Sequence, residues 1–208
     1  MPRPSHDTDK LLLVAGRQVL LEQGFSGLSL RVVAAKAKVN LGMFAYHFKG
    51  KDDFVRQVAQ GIYDDFFKDF TLVVEGEVDP LKALRNGLTR LAFFMRDHQV
   101  LARSLAKDLM NGNAEAKRFA MENAPRHGKV LAGLVDRCMK QKRLARHPKG
   151  TAMSLMMCGI TFPVIMVEGA KAMVPRMPFK VSEKMVEKVL LSDESIRRRI
   201  DLLLKALS

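Results

Sequence analysis

Apolar residues return every three or four positions along nearly the whole chain, the spacing of helices with one buried face. Leu12, Ala15, Val19 and Leu20 mark the first stripe, opened by the polar Asp7 and Thr8 and closed at Gly24. Ser29 stands where its hydroxyl can cap the first turn of a second, short helix that runs to about Lys36. A third helix is expected over residues 40–47, after a very short turn. Phe54, Val58, Ile62, Phe66 and Phe70 then mark a long fourth helix beginning near Gly50, with Asp52 and Asp53 in its first turn, where the helix dipole favours carboxylates. Further helices are expected over residues 80–97, 99–110, 114–142 and 149–174. A last one covers residues 182–207, with a possible break at Ser192 and Asp193. The breaks carry turn chemistry: Gly76 and Pro80, Asn111-Gly112-Asn113, His147-Pro148, and Pro175 to Pro178. No stretch alternates at the period of a strand, and no internal repeat is visible. The expected fold class is all-α, with about nine helices.

Charge makes the two ends of the chain unequal. The 208 residues carry a formal net charge of +13, which points to a polyanionic partner, either nucleic acid or an anionic membrane surface. Residues 1–51 hold eight basic side chains (Arg3, Lys10, Arg17, Arg31, Lys36, Lys38, Lys49, Lys51) against three acidic ones (Asp7, Asp9, Glu22). Their charge per residue is about twice that of the remainder, so the front of the chain is the better candidate for meeting phosphates. Cys138 and Cys158 are the only cysteines, too few for a disulfide framework or a zinc site, and they suit a reducing cytosol. No signal peptide is visible, and a cytoplasmic location is expected. The most apolar run, residues 152–167, falls short of the roughly 20 residues a spanning helix needs, so a buried helix and no membrane partner are expected.

Residues 29–51 carry the most specific pattern. Two short, tightly joined helices need a small residue where their backbones approach, and Ala34 supplies it. Val33, Ala37 and Val39 can point inward, and Phe44 recurs on the inner face of the next helix. This layout suits a helix-turn-helix, whose second helix enters the major groove, and equally an ordinary helical hairpin.

The same stretch resembles the TetR family of ligand-responsive transcriptional regulators. The likeness runs from Leu12 through Gln23-Gly24-Phe25, Ser29-Leu30-Arg31-Val32-Val33-Ala34 and Ala37-Lys38-Val39-Asn40 to Tyr46-His47-Phe48 and Lys51. In the remaining body it is limited to helix number and length. The resemblance implies a three-helix helix-turn-helix head over residues 1–51 and a larger helical ligand-binding and dimerisation body over residues 52–208. It further implies a homodimer that reads a palindromic operator in double-stranded DNA, acts by default as a repressor, and answers to a small apolar or amphipathic effector. Carried onto this chain, residues 40–46 become the recognition helix, Lys51 meets a phosphate at the start of the fourth helix, and Ser29 and Arg31 approach the backbone or groove. Two positions depart from the family. Lys38 stands where Gly is usual because the turn wants a positive φ, at a cost on the order of 1 kcal/mol. Ala45 replaces a common Tyr, so an aromatic phosphate contact passes to Tyr46.

The recognition segment contains no Arg or Lys and cannot make the bidentate guanine contact those side chains provide. Base reading is expected from Leu41, Met43 or Ala45 against thymine methyls, from close approach at Gly42, and from the polar groups of Asn40 and Tyr46; Arg31 or Lys38 would supply any guanine contact. Asn40 equally suits a capping role, His47 suits contact with the first helix, and Phe44 and Phe48 read as core. In the body, Phe66, Phe70, Phe94, Met110, Phe119, Met156 and Phe162 are soft, large side chains suited to an effector pocket, though each also reads as plain core. Pro163, four residues after Gly159, is expected to kink its helix. Leu190, Ile196, Ile200, Leu203, Leu204 and Leu207 suit either a dimer face or the protomer's own core. The five histidines are scattered, and neither a Gly-rich phosphate loop nor a nucleophile elbow occurs, so no enzyme, metal or cofactor is expected. A non-sensing architectural DNA-binding protein is the competing reading.

Overall fold

A computed structural model describes residues 7–176 and 181–208. Arg3 and part of the turn expected at Pro175 to Pro178 lie outside these residues. Among the described residues the chain forms ten α-helices and one 3-10 turn, with no strand: α1 (Thr8–Gly27), α2 (Leu30–Ala37), α3 (Met43–His47), α4 (Lys51–Glu75), α5 (Pro80–Asp97), α6 (Gln99–Met110), α7 (Ala114–Lys140), α8 (Lys149–Met173), the 3-10 turn Val174–Arg176, α9 (Glu183–Leu191) and α10 (Asp193–Ala206). They form two compact units: Met1–Phe66 with Val100–Asn123, and Phe67–Gln99 with Ala124–Ser208.

In the first unit the stripe read from sequence is the core of α1: Leu12, Val19 and Leu20 are fully buried. Phe54 at the start of α4 meets Phe44 edge-on at 4.9 Å and Phe48 at 4.8 Å, so three rings close the bottom of the head. As expected, the first helix breaks at Gly24, whose backbone is not helical (φ 72°, ψ −175°); a short further helical piece runs on to Gly27, and a β-carbon at Gly24 would lie 2.4 Å from the Cβ of Ser104 on α6. The positive φ turns the chain so that Phe25 N–H donates to Ser104 Oγ at 2.8 Å and Ser26 Oγ donates to the buried Asp108 at 2.6 Å. Further along α4, Tyr63 donates its hydroxyl to the Asn123 carbonyl at 2.7 Å, and the Gln60 and Asn123 side-chain amides bond reciprocally.

In the second unit α5 begins at Pro80, with Asp79 accepting the N–H groups of Leu81 and Lys82 at 2.8 and 3.0 Å. Leu84 and Leu88 of α5, Met156 and Ile160 of α8, and Ile200 and Leu204 of α10 form its core. The final helical region splits because Ser192 is extended (ψ 152°) and its hydroxyl caps α10 through Ser195 N–H at 3.2 Å. That break yields ten helices where about nine were expected. α7 ends at Lys140, short of residue 142, because Lys142 is left-handed (φ 56°) and Arg143 N–H returns to the Cys138 carbonyl.

α8 differs from expectation. It is 25 residues long and stays one helix across Pro163, and Gly159 is where Leu203 of α10 comes closest, within 2.6 Å of a notional β-carbon. The apolar run is not a buried helix: 28% of its most apolar window is buried, and by length and composition it could cross a membrane. Its apolar residues spread around the helix, while α5, α9 and α10 pack against only part of its surface. Leu155, Phe162, Met166 and Met173 remain exposed. Ile196, Ile200, Leu204 and Leu207, by contrast, are buried within the single chain, while Leu190 and Leu203 are half-buried.

Candidate nucleic-acid interface

The head's geometry rests on the joint between α2 and α3. Val33 and Ala34 are the buried positions of α2, which leaves Arg31, Val32 and Ala35 facing outward. Lys38 ends the helix in the left-handed conformation (φ 56°, ψ 39°), the geometry anticipated for this turn. Its N–H donates to the Ala35 carbonyl at 3.1 Å, and that of Val39 to Ala34 at 3.0 Å. These bonds satisfy carbonyls the helix end would otherwise leave open, offsetting the left-handed backbone of a residue that bears a side chain.

Asn40 then makes an Asx turn. Its side-chain carbonyl accepts the Gly42 N–H at 2.8 Å, and its main-chain carbonyl accepts that of Met43 at 3.0 Å. Helix proper starts at Met43 instead of residue 40, with Gly42 at its N-cap position, so the Asn40 side chain closes the preceding turn and does not cap α3. Ser29 occupies the N-cap position of α2, extended at ψ 126°, but its hydroxyl makes no capping bond. The half-buried hydroxyl stands beside the groove described next.

Phe44 and Phe48 anchor α3 from below and are buried; Leu41, Gly42, Ala45 and Tyr46 are exposed, Leu41 by 42% and Tyr46 by 70%. Met43 is half-buried, and His47 is half-buried with its ring against Tyr46 and Phe48. A groove of about 570 Å³ runs along this surface, lined by Ser29, Leu30, Arg31, Leu41, Phe44, Ala45, Phe48 and Gly50. Leu30, Phe44, Phe48 and Gly50 were not anticipated as its lining, because a groove between two helices appears only once they cross.

Of the cations in this part of the chain, Arg31 lines the groove. Lys36 is neutralised by Glu22 at 2.7 Å and Arg17 pairs with Asp65, whereas Arg31, Lys38, Lys49 and Lys51 are exposed and have no carboxylate partner among the described residues. Lys51 is the first residue of α4. Asp53 accepts the Lys49 N–H at 3.2 Å. That bond, then Arg56 at 2.6 Å and Gln57 at 3.1 Å, outweigh burial and hold its carboxyl below the usual carboxylate range.

The expected effector residues fall into both units. In the first, Phe66 and Phe119 are buried while Met110 is 78% exposed; in the second, Phe70 and Met156 are buried, Phe94 is half-buried and Phe162 is 63% exposed. Phe119 also lines a cleft of about 250 Å³ with Phe25, Ser26, Val55, Arg56 and Asp108.

Comparison with known proteins bears on the head and the fold separately. Residues 12–58 match the domain TetR_N, described as bacterial regulatory proteins of the tetR family. The chain is 36% identical over 76 residues to the HTH-type transcriptional repressor DhaR of Mycobacterium sp. (strain GP1), covering 36% of this chain and 38% of that protein. It is 33% identical over 73 residues to the HTH-type transcriptional repressor NemR of Escherichia coli (strain K12), covering 35% of this chain and 37% of that protein. These matches thus span less than two fifths of the relatives' length. Among solved structures, the fatty acid degradation regulator FadR of Bacillus halodurans superposes with a TM-score of 0.73 at 15% identity, covering 99% of this chain and 98% of that one. FadR of Bacillus subtilis, solved with stearoyl-CoA, superposes with a TM-score of 0.70 at 15% identity, covering 96% and 99%. Identity this low speaks for the fold alone, a helix-turn-helix head with a helical body. Residues 12–58 thus carry the domain of the tetR family of bacterial regulatory proteins, on a chain whose fold is that of the superposed regulators.

Proposed function

We propose that this chain is a sequence-specific DNA-binding transcription regulator, a repressor that holds a palindromic operator as a homodimer and lets go when a small apolar or amphipathic effector binds. One observation carries the reading: among the described residues the outward side of α3 is uncovered, Arg31 borders the groove beside it, and Arg31, Lys38, Lys49 and Lys51 are exposed without a carboxylate partner. A helix so exposed fits the major groove, and cations around it fit the phosphates on either side. Ser29, Arg31, Lys38 and Lys51 approach the backbone or groove; residues 40–46 form the recognition segment, in which Leu41, Gly42, Ala45 and Tyr46 face the bases. The repressor names of DhaR and NemR support the sign of regulation.

The homodimer forms through the exposed side of α8, whose Leu155, Phe162, Met166 and Met173 recur at intervals of seven, four and seven along one face. Phe162 on this reading meets a second copy instead of an effector. Within the second unit, Phe70, Phe94 and Met156 are the proposed effector contacts. The stearoyl-CoA held by the Bacillus subtilis regulator favours an acyl chain with a polar head as the first compound to try.

The test is selection of bound duplexes from a random pool, then thermal melting with acyl-CoA thioesters and other amphipathic compounds. The expected result is a two-fold symmetric site, binding that weakens steeply with salt, and a compound that both raises Tm and releases DNA. Failure to enrich any duplex sinks the regulator reading. An enriched duplex with no compound raising Tm favours the architectural alternative.

A further inference from the structure

Resting on the reading of α3 as the base-reading helix, we infer that this protein recognises its half-site through the C5-methyl groups of thymines, with Leu41 and Ala45 as the specificity-determining residues. The segment has neither Arg nor Lys between Lys38 and Lys49, so the bidentate contact to guanine O6 and N7 has no donor there. Asn40, which could pair bidentately with adenine, has its side-chain carbonyl engaged by the Gly42 N–H at 2.8 Å; turning that amide to a base breaks the turn that launches α3. Met43 is half-buried and Phe44 faces inward. What remains outward is Leu41, Gly42, Ala45 and Tyr46, two of them aliphatic and one without a side chain.

In the major groove only thymine offers an apolar group, and an aliphatic side chain gains by covering it. Leu41 and Ala45 also line the groove that Arg31 borders, so the apolar floor and a phosphate-seeking cation lie on one surface. That charge complementarity selects duplex DNA over an apolar protein surface as the occupant. Gly42 fits the same picture: a β-carbon there would come within 3.3 Å of Asn40 Oδ1, crowding the turn.

The experiment uses the full-length protein and the duplex selected from random DNA. Each thymine of one half-site is replaced in turn by uracil, which removes the methyl and leaves every hydrogen-bonding group in place. Replacement is expected to weaken binding roughly fourfold at one or two positions per half-site, the ratio that one buried methyl-sized group supplies. Leu41→Ala or Ala45→Gly should abolish that sensitivity at one position each; melting curves establish that the variants fold. Three results overturn the inference: tight binding indifferent to uracil throughout, uracil sensitivity that survives both variants, or sensitivity to 7-deazaguanine that persists when Arg31 and Lys38 are both changed to Ala. If no duplex is selected at all, the regulator reading itself falls; if one is selected and uracil is tolerated, only the thymine inference does.

Discussion

Both units expose apolar side chains on a helix, and what surrounds each patch differs. Beside α3 the exposed Leu41 and Ala45 share a groove with Arg31, and Arg31, Lys38, Lys49 and Lys51 have no carboxylate partner among the described residues. On α8 the exposed face is larger and more apolar, and the charges near its ends are already satisfied: Lys149 pairs with Asp136 at 2.6 Å, and Lys171 with Glu187 at 2.9 Å and Glu168 at 3.3 Å. Unpaired cations beside a small apolar patch suit a polyanion with apolar groups in its groove. Paired ions beside a long apolar stripe suit another apolar surface, because no net charge has to be buried there. Exposure alone does not separate the two; the bookkeeping of charge does.

Substitutions that act on one patch and spare the other sharpen this contrast. The largest effect is expected from Phe162→Glu, which sets a charge into the α8 stripe. Each copy loses about 2 kcal/mol of apolar burial, so self-association should weaken by about 100-fold or more while the isolated protomer keeps its helical signal. Sedimentation measures it; an unchanged dimer mass would remove α8 from the interface, and a wild-type monomer would remove the dimer. Lys51→Ala comes next. Loss of one phosphate contact per subunit should weaken binding roughly five- to tenfold on every sequence alike and reduce the salt slope by about one per subunit. A sequence-dependent loss would mean that Lys51 touches bases.

The smallest effect is expected from Lys38→Gly. Relieving the left-handed φ of 56° stabilises the fold by about 1 kcal/mol, a rise of roughly 2–4 °C in Tm, while loss of the exposed cation weakens DNA binding. Stability and affinity should move in opposite directions. A fall in Tm would show that the Lys38 side chain contributes more to the fold than its backbone geometry costs.

How far the chain's own letters went can be judged at particular residues. The left-handed turn at Lys38 was legible because a short connection between two helices leaves few backbone routes, and the resemblance named the position that takes the positive φ. The start and stop of α5 and α6 were legible because Asp79-Pro80 and Asn111-Gly112-Asn113 have local effects on the backbone. So was the break of α1 at Gly24, where the backbone leaves the helix; the docking of Phe25 and Ser26 on Ser104 and Asp108, about eighty residues away in sequence, was not. The Asx turn of Asn40 emerged only when its partner atom was seen, and Met110 and Phe162 gave no sign of lying at the surface.

Local rules thus account for the helices, their caps and the charge excess of the head, since period, turn residues and net charge depend only on neighbours along the chain. Burial is a property of distance in space. Which side of the apolar-rich α8 stays uncovered, which lysines find a carboxylate, and which side chains floor the groove beside α3 were settled only when helices far apart in sequence came together.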